Sequence, residues 1–434
     1  MTVQLPPMAL TQSQSEVCLI LVLLIPLAGI GVTLINTGLG RSRSAAHMML
    51  SSLCVMAVAC IVFAVWGFSI QGIATYADHA IVVRGHPWGV VGSEPWLLRG
   101  LRFDDFDLGL KAVFLMFASA LVALIPLGAL SERWRLSACC LSTVVLTGIV
   151  YPLFSHWAWG GGWLAELGFN YGLGRGFVDG GGSGVIQAVG GLTALAVTWM
   201  VGPRQGKYMS DGMPAAIPGH NVMYVLFGCL LGWVGWIGLN GAGAVLVAGA
   251  VPERVPLVAI NTTLCAAVSG LTAVAITAKR FGRPDASLSG NGWMGGLVAS
   301  SAGAAFVRPA AAILIGLIAG VLVSYAVDFM EFRFHVDDPG GAVSVHGVAG
   351  LWGVLAVGIF GVFERNGQLV AQLVGIATLL GFVLPASYGL NLLLDRFYPQ
   401  RVDPESERQG LDLHELGSGA YPDFVTHADD FIQR

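Results

Sequence analysis

Two polar residues of this 434-residue chain hold the same place in two copies of one motif. Gln187 stands eight positions after Asp179, and His346 stands eight positions after Asp338. The segments Asp179-Gly180-Gly181-Gly182-Ser183-Gly184-Val185-Ile186-Gln187-Ala188-Val189-Gly190-Gly191-Leu192 and Asp338-Pro339-Gly340-Gly341-Ala342-Val343-Ser344-Val345-His346-Gly347-Val348-Ala349-Gly350-Leu351 align without a gap. An imidazole accepts and donates hydrogen bonds and titrates near neutrality. A carboxamide offers donors and an acceptor but does not titrate. Such a pair can pass a small hydrogen-bonding solute along, yet cannot relay a proton between two imidazoles. The bland alternative is that Gln187 merely satisfies His346. Duplicated, glycine-interrupted apolar segments mark the substrate path in repeat-built membrane transporters, which favours lining a path.

The elements that must position this pair are membrane spans. The chain is 55% hydrophobic and 11% charged, with a mean hydropathy of +0.73. Soluble domains carry about 25% charged residues. A net charge of −4 without a basic patch argues against nucleic acid. The seven cysteines lie in apolar stretches without a CxxC, so neither a disulfide framework nor a zinc site is expected. No cofactor is expected. The first sixteen residues lack the basic start of a secretory signal, so Met1 is expected at or near the mature start. Glycine pairs near 172–176 and 180–184 follow no predicted strand, which discounts nucleotide binding. The sixty glycines are better explained by closely packed membrane helices.

A span needs about 20 apolar residues. Eleven candidates are expected, at about 17–39, 46–72, 108–130, 136–157, 183–201, 220–245, 255–278, 290–305, 309–330, 342–363 and 369–394. The eighth is short and rich in glycine. The resulting architecture is all-α: an extracytoplasmic N-terminus (1–16), a transmembrane domain (17–397) and a cytoplasmic tail (398–434). Its repeat halves are about 17–201 and 220–363, followed by helix eleven. Basic residues set the orientation. Arg41, Arg43, Arg133, Arg135, Arg204, Lys207, Lys279, Arg280, Arg283 and Arg333 fall on one set of connections, against seven arginines on the other. N-terminus out and C-terminus in is therefore expected. Five spans per half invert the second half relative to the first. Eight helical residues rise about 12 Å, so Gln187 and His346 descend from opposite faces and meet near the middle of a core about 30 Å thick.

The two copies resemble the signatures D-x-x-G-x-x-V-x-H-x-x-x-G and D-D-P…H-G-x-x-G of the ammonium transporter (Amt/Mep/Rh) superfamily. Gly128-Ala129-Leu130-Ser131-Glu132-Arg133, His156-Trp157-Ala158-Trp159-Gly160-Gly161-Gly162, His220-Asn221, Gly235-Trp236-Ile237-Gly238-Leu239-Asn240 and Gly410-Leu411-Asp412 with Ala420-Tyr421 add to the likeness. The resemblance covers nearly the whole chain. It implies a homotrimer with one central pore per subunit, moving ammonium or ammonia. It further implies that Trp159 and Asp179 recruit the cation, that Phe117 gates the outer mouth, and that Gln187 and His346 line the pore. Three departures stand out. The first pore histidine of the family is Gln187 here. The second gate phenylalanine falls at Leu239, and a recruiting serine falls at Gly243. The Trp159–Asp179 loop is also longer than usual.

Residue chemistry supports parts of this. A small cation over an indole face gains about 0.5–2 kcal/mol, although an interfacial tryptophan can equally be a membrane anchor. Asp179 is expected to cap a helix and also to carry functional charge at membrane depth. Its repeat mate Asp338 is expected to be a cap that the inner surface and Asp337 keep wet. The tail is expected to touch a neighbouring subunit, with a cytoplasmic PII-type regulatory protein as a further possible partner. Two alternatives are kept: an Amt-like channel for methylamine or a neutral amide-like solute, and an ammonium sensor. No kinase or cyclase domain follows before Arg434, which favours transport over sensing. An enzyme is disfavoured because the expected pore holds no nucleophile–base pair or metal cluster.

Overall fold

The structure, a computed structural model, describes residues 10–73, 78–102 and 104–421. Residues 1–9 of the expected N-terminal segment and 422–434 of the tail lie outside the described residues. Among the described residues, ten helices are long and apolar enough to cross a membrane. They are α1 (Gln12–Leu39), α2 (Ser42–Gln71), α3 (Phe106–Leu130), α4 (Leu136–Trp159), α5 (Ser183–Val201), α6 (Val222–Leu246), α7 (Pro252–Phe281), α9 (Pro309–Phe334), α10 (Ala342–Phe360) and α11 (Gln368–Phe397). The remaining expected span is α8, Ala286–Ser300, with 15 residues. At 1.5 Å per residue it is about 22 Å long, short of the roughly 30 Å core. It stops because the chain beyond it turns to give the carbonyls of Ala302 and Ser301 to the amides of Gly180 and Gly181, at 3.0 and 2.6 Å.

The first helices of the two halves, α1 and α6, form the most extensive helix pair. Close approach there depends on glycine: a Cβ on Gly31 would sit 2.6 Å from the Gly228 carbonyl oxygen. Without a hydrophobic drive between helices in lipid, such backbone contact carries much of the packing. The duplicated segments α5 and α10 pack on one another and on α3 and α8, inside the bundle. Every residue from Gly180 to Val197 is buried.

One small element lies outside the helical architecture. Strands β1 (Asp78–Val83) and β2 (His86–Gly92) form an antiparallel hairpin between α2 and α3. Its two-residue turn, Arg84-Gly85, has φ of +50° and +83°, as the tightest hairpin turns require. The run Ile81-Val82-Val83 facing Pro87 and Trp88 is short and exposed, so nothing in the membrane-span pattern reveals it.

At one end of the bundle the connections are tied by buried charge. Arg204 pairs with Glu132 (2.7 Å) and Asp337 (2.9 Å), Arg133 lies 3.6 Å from Asp337, and Arg41 also pairs with Glu132. Burial alone would push the Asp337 carboxyl up. The Arg133 charge, then the hydrogen bonds and charge of Arg204, hold it well below the usual carboxylate range. The tail docks here on its own subunit. Arg401 donates to the Val201 and Pro203 carbonyls, the Glu407 carboxylate accepts from the Gln205 amide, and Asp412 accepts from the Ala46 and His47 amides.

Candidate solute path

Asp179 and Asp338 build the same turn in each half. Asp179 accepts from the amides of Gly182 (3.0 Å), Gly184 (2.8 Å) and Val185 (2.7 Å). Asp338 accepts from Val343 (2.9 Å), Ser344 (3.0 Å) and the Ser344 hydroxyl (3.1 Å). Each aspartate thus satisfies donors that a helix start leaves free. Three residues after each aspartate comes a glycine in the left-handed region, Gly182 at φ +89° and Gly341 at φ +72°. That conformation suits only glycine at low cost. The helices then begin with wide turns, over Ser183–Ala188 and Ala342–Val348. Such π-turns are rare and concentrate at functional sites. One correction applies: Asp338 is not wet. It is 8% exposed, turned onto the start of α10, and Asp337 is 1% exposed beneath Arg133 and Arg204.

The wide turns bring the expected pair together. His346 Nδ1 donates to Gln187 Oε1 at 2.7 Å, with Gln187 fully buried and His346 nearly so. A carboxamide oxygen only accepts, so the hydrogen lies on Nδ1 and Nε2 of His346 keeps its lone pair. Gln187 Nε2 is buried without a partner. The pair therefore offers one free acceptor, His346 Nε2, and one free amide donor, Gln187 Nε2. The two helices approach closely beside the pair because Gly191 and Gly347 face each other; a Cβ on Gly191 would meet the Gly347 nitrogen at 2.2 Å.

Trp159 ends α4 and is 6% exposed. Its indole N–H donates to the Asp179 carbonyl at 2.7 Å, which fixes the ring beside the start of α5. Phe114 of α3 lies against it, with ring centroids 5.8 Å apart. Phe117 is half-buried one turn further along the same helix. Phe114 is thus the ring that the structure sets beside Trp159, and sequence spacing alone missed it. The Phe114-Leu115-Met116-Phe117 run does offer two rings three positions apart, on one face of a helix.

Gly243 lies beside this pair of rings. A Cβ there would meet the Gly180 carbonyl oxygen at 2.2 Å and Phe114 Cζ at 3.0 Å. The space of a serine side chain is therefore already filled. Leu239 is fully buried in the core of α6. The four residues Trp159, Asp179, Gly243 and Phe114 sit together at one end of α5. Gln187 and His346 lie deeper, where α5 and α10 meet.

Ten apolar helices among the described residues, two of them carrying the buried, duplicated polar turn, define a multi-pass membrane protein. The profile of the Ammonium Transporter Family matches residues 16–421, so the chain belongs to that family. It is 37% identical over 415 residues to ammonium transporter Amt2 of Archaeoglobus fulgidus, covering 91% of this chain and 85% of that one. It is 29% identical to the ammonium transporter of Bacillus subtilis, over 91% and 94% of the two chains. Among solved structures, one described as a Sensor Amt Protein aligns with a TM-score of 0.84 at 30% identity, covering 93% of this chain and 98% of that one. Candida albicans Mep2 aligns with a TM-score of 0.76 at 23% identity, over 96% and 92%, which is a likeness of fold.

Proposed function

We propose that this protein moves ammonium or ammonia across a cell membrane through a narrow path in each subunit. The observation that carries the reading is the buried Gln187–His346 hydrogen bond, with a free acceptor and a free donor beside it. Ammonia has N–H groups for His346 Nε2 and a lone pair for Gln187 Nε2. The ammonium ion has no lone pair, and a whole charge at the bilayer centre costs several kcal/mol. The solute that passes the pair is therefore neutral. Trp159 and Phe114 offer aromatic faces for the cation before it loses a proton, and Asp179 shapes the turn below them while its charge favours a cation. Phe117 and Leu239 close the outer mouth. Gly243 leaves room for Phe114 in place of a hydroxyl.

The orientation follows from the basic connections: N-terminus outside, Trp159 and Asp179 facing out, Arg133 and the tail facing the cytoplasm. Eleven spans with an inverted five-helix repeat complete the topology, α8 crossing where its neighbours carry the missing length. A homotrimer is the assembly this family membership suggests, and the docked tail is a surface for a PII-type regulator. A second reading is ammonium sensing, favoured by the 30% identity and close superposition with the Sensor Amt Protein. Uptake into proteoliposomes tests the first reading, comparing ammonium, methylammonium and neutral amides. Uptake of ammonium and methylammonium above protein-free vesicles is expected. No uptake of either, with ligand-dependent change in the tail, would favour sensing.

A further inference from the structure

The unusually long segment between Trp159 and Asp179 builds a second feature at the same end of the bundle. Its short helix Leu167–Tyr171 is followed by a turn at 172–177 that touches the connections after α10 and α6, through the Gly174 amide on the Asn366 carbonyl and Arg175 on the Ala248 carbonyl. The turn is clamped to the start of α11: Gln368 Oε1 accepts from the Arg175 amide at 3.0 Å, and Gln368 Nε2 donates to the Gly176 carbonyl at 2.8 Å. Between these parts lies a cavity of about 660 Å³. Its wall carries Arg175, Arg254 and Arg365, with Phe306 and Phe363 as apolar faces.

Three guanidiniums, from the long segment, from the first turn of α7 and from the α10–α11 connection, line this one cavity. None of the three forms an ion pair among the described residues. Two carboxylates also line the cavity. Glu166 takes a hydrogen bond from Asn170 and Glu364 adjoins Arg365 in sequence, and neither lies within ion-pair distance of an arginine. Two arginines are held in place. Arg254 donates to the Ala305 carbonyl at 2.8 Å, and the Arg175 guanidinium stacks over Phe306 at 5.4 Å while reaching the Ala248 carbonyl at 3.5 Å. Burial, and then the Arg254 charge, push the Arg175 guanidinium below its ordinary value.

We propose that this cavity binds an oxyanion of the phosphate-ester class, its charged group on Arg175, Arg254 and Arg365 and its apolar part against Phe306 and Phe363. Guanidinium forks match phosphate oxygens in pairs, and arginine stacking on an aromatic wall preorganises the fork. The same chemistry can come from an anionic phospholipid headgroup or from a free organic phosphate. The site shares no residue with the Gln187–His346 path, so its binding is read independently of transport.

The test uses the purified oligomer in detergent. Phenyl phosphate is titrated by calorimetry, and phosphatidylglycerol against phosphatidylcholine by native mass spectrometry. Arg175→Ala with Arg254→Ala, and separately Arg365→Glu, are compared with wild type. Arg365 makes no hydrogen bond among the described residues, so its variant keeps the fold even if the double variant does not. Each lost arginine is expected to weaken binding about tenfold, the effect of one charge-assisted hydrogen bond. Phenyl phosphate binding that falls in the variants supports the site with a free anion, and phosphatidylglycerol binding that falls supports it with a headgroup. Absence of both, or binding that Arg365→Glu leaves at wild-type strength, overturns the proposal.

Discussion

Replacing Gln187 by leucine keeps the volume of the side chain and removes its amide. In the structure Gln187 Oε1 accepts from His346 Nδ1 at 2.7 Å, inside the bundle and out of reach of bulk water. The substitution leaves that imidazole N–H without a partner. A buried donor so orphaned costs about 1–3 kcal/mol. If the whole penalty falls on the conduction barrier, flux drops roughly 5- to 150-fold, at 1.36 kcal/mol per tenfold. The ring also loses what fixes its tautomer, so Nε2 no longer reliably offers its lone pair to the solute. Gln187→His is the control. A second imidazole can still accept from Nδ1 of His346, so ammonia flux stays within a few-fold of wild type while charge movement rises. The assay is stopped-flow alkalinisation of proteoliposomes after an ammonium jump, with thermal unfolding to confirm equal folded fractions. A folded Gln187→Leu variant with wild-type flux would refute the reasoning and leave His346 as a packing residue.

Asp179→Ala leaves three buried amides without an acceptor; transport is expected to vanish and stability to fall by at least the roughly 1 kcal/mol of a lost cap, read by uptake and thermal unfolding. Gly243→Ser, which would restore a hydroxyl found in relatives of this scaffold, is expected to lower stability and recruitment instead, because its Cβ meets the Gly180 carbonyl and Phe114; a variant with tighter ammonium recruitment and unchanged stability would contradict this. Asp337→Asn breaks a buried ion pair and should cost about 3–5 kcal/mol at neutral pH. The Asp337 carboxyl is depressed when folded, so its contribution is fully present above the unfolded value near 4 and is lost only as pH falls below it. The stability gap between wild type and Asp337→Asn should therefore stay constant from about pH 8 to 5 and close in stronger acid; a gap that closes near neutrality would count against the cluster.

The membrane spans were legible because a membrane imposes a length and an apolar composition that survive in sequence. The meeting of Gln187 and His346 was legible too, since two gapless motif copies place them at equal depth in their helices. What sequence could not show is the wide turn that starts each of these helices. It arises from a capping aspartate and a left-handed glycine acting together, and the period of apolar residues does not record it. The eighth span was expected at about 290–305 and runs over Ala286–Ser300, ending where its backbone turns to serve Gly180 and Gly181. Phe117 drew attention through the family resemblance alone. Phe114 became visible only once its ring was seen against Trp159. The hairpin at Asp78–Gly92 escaped because neither strand alternates apolar with polar residues: β1 ends in the run Ile81-Val82-Val83, and β2 carries Pro87 and two glycines.

The most direct test of the central claim measures ammonia flux and ammonium-evoked current in the same wild-type proteoliposomes. A solute that passes the Gln187–His346 pair uncharged gives alkalinisation well above protein-free vesicles, with a current small relative to that flux. Alkalinisation no greater than in protein-free vesicles, or a current that matches the flux ion for ion, would contradict the account.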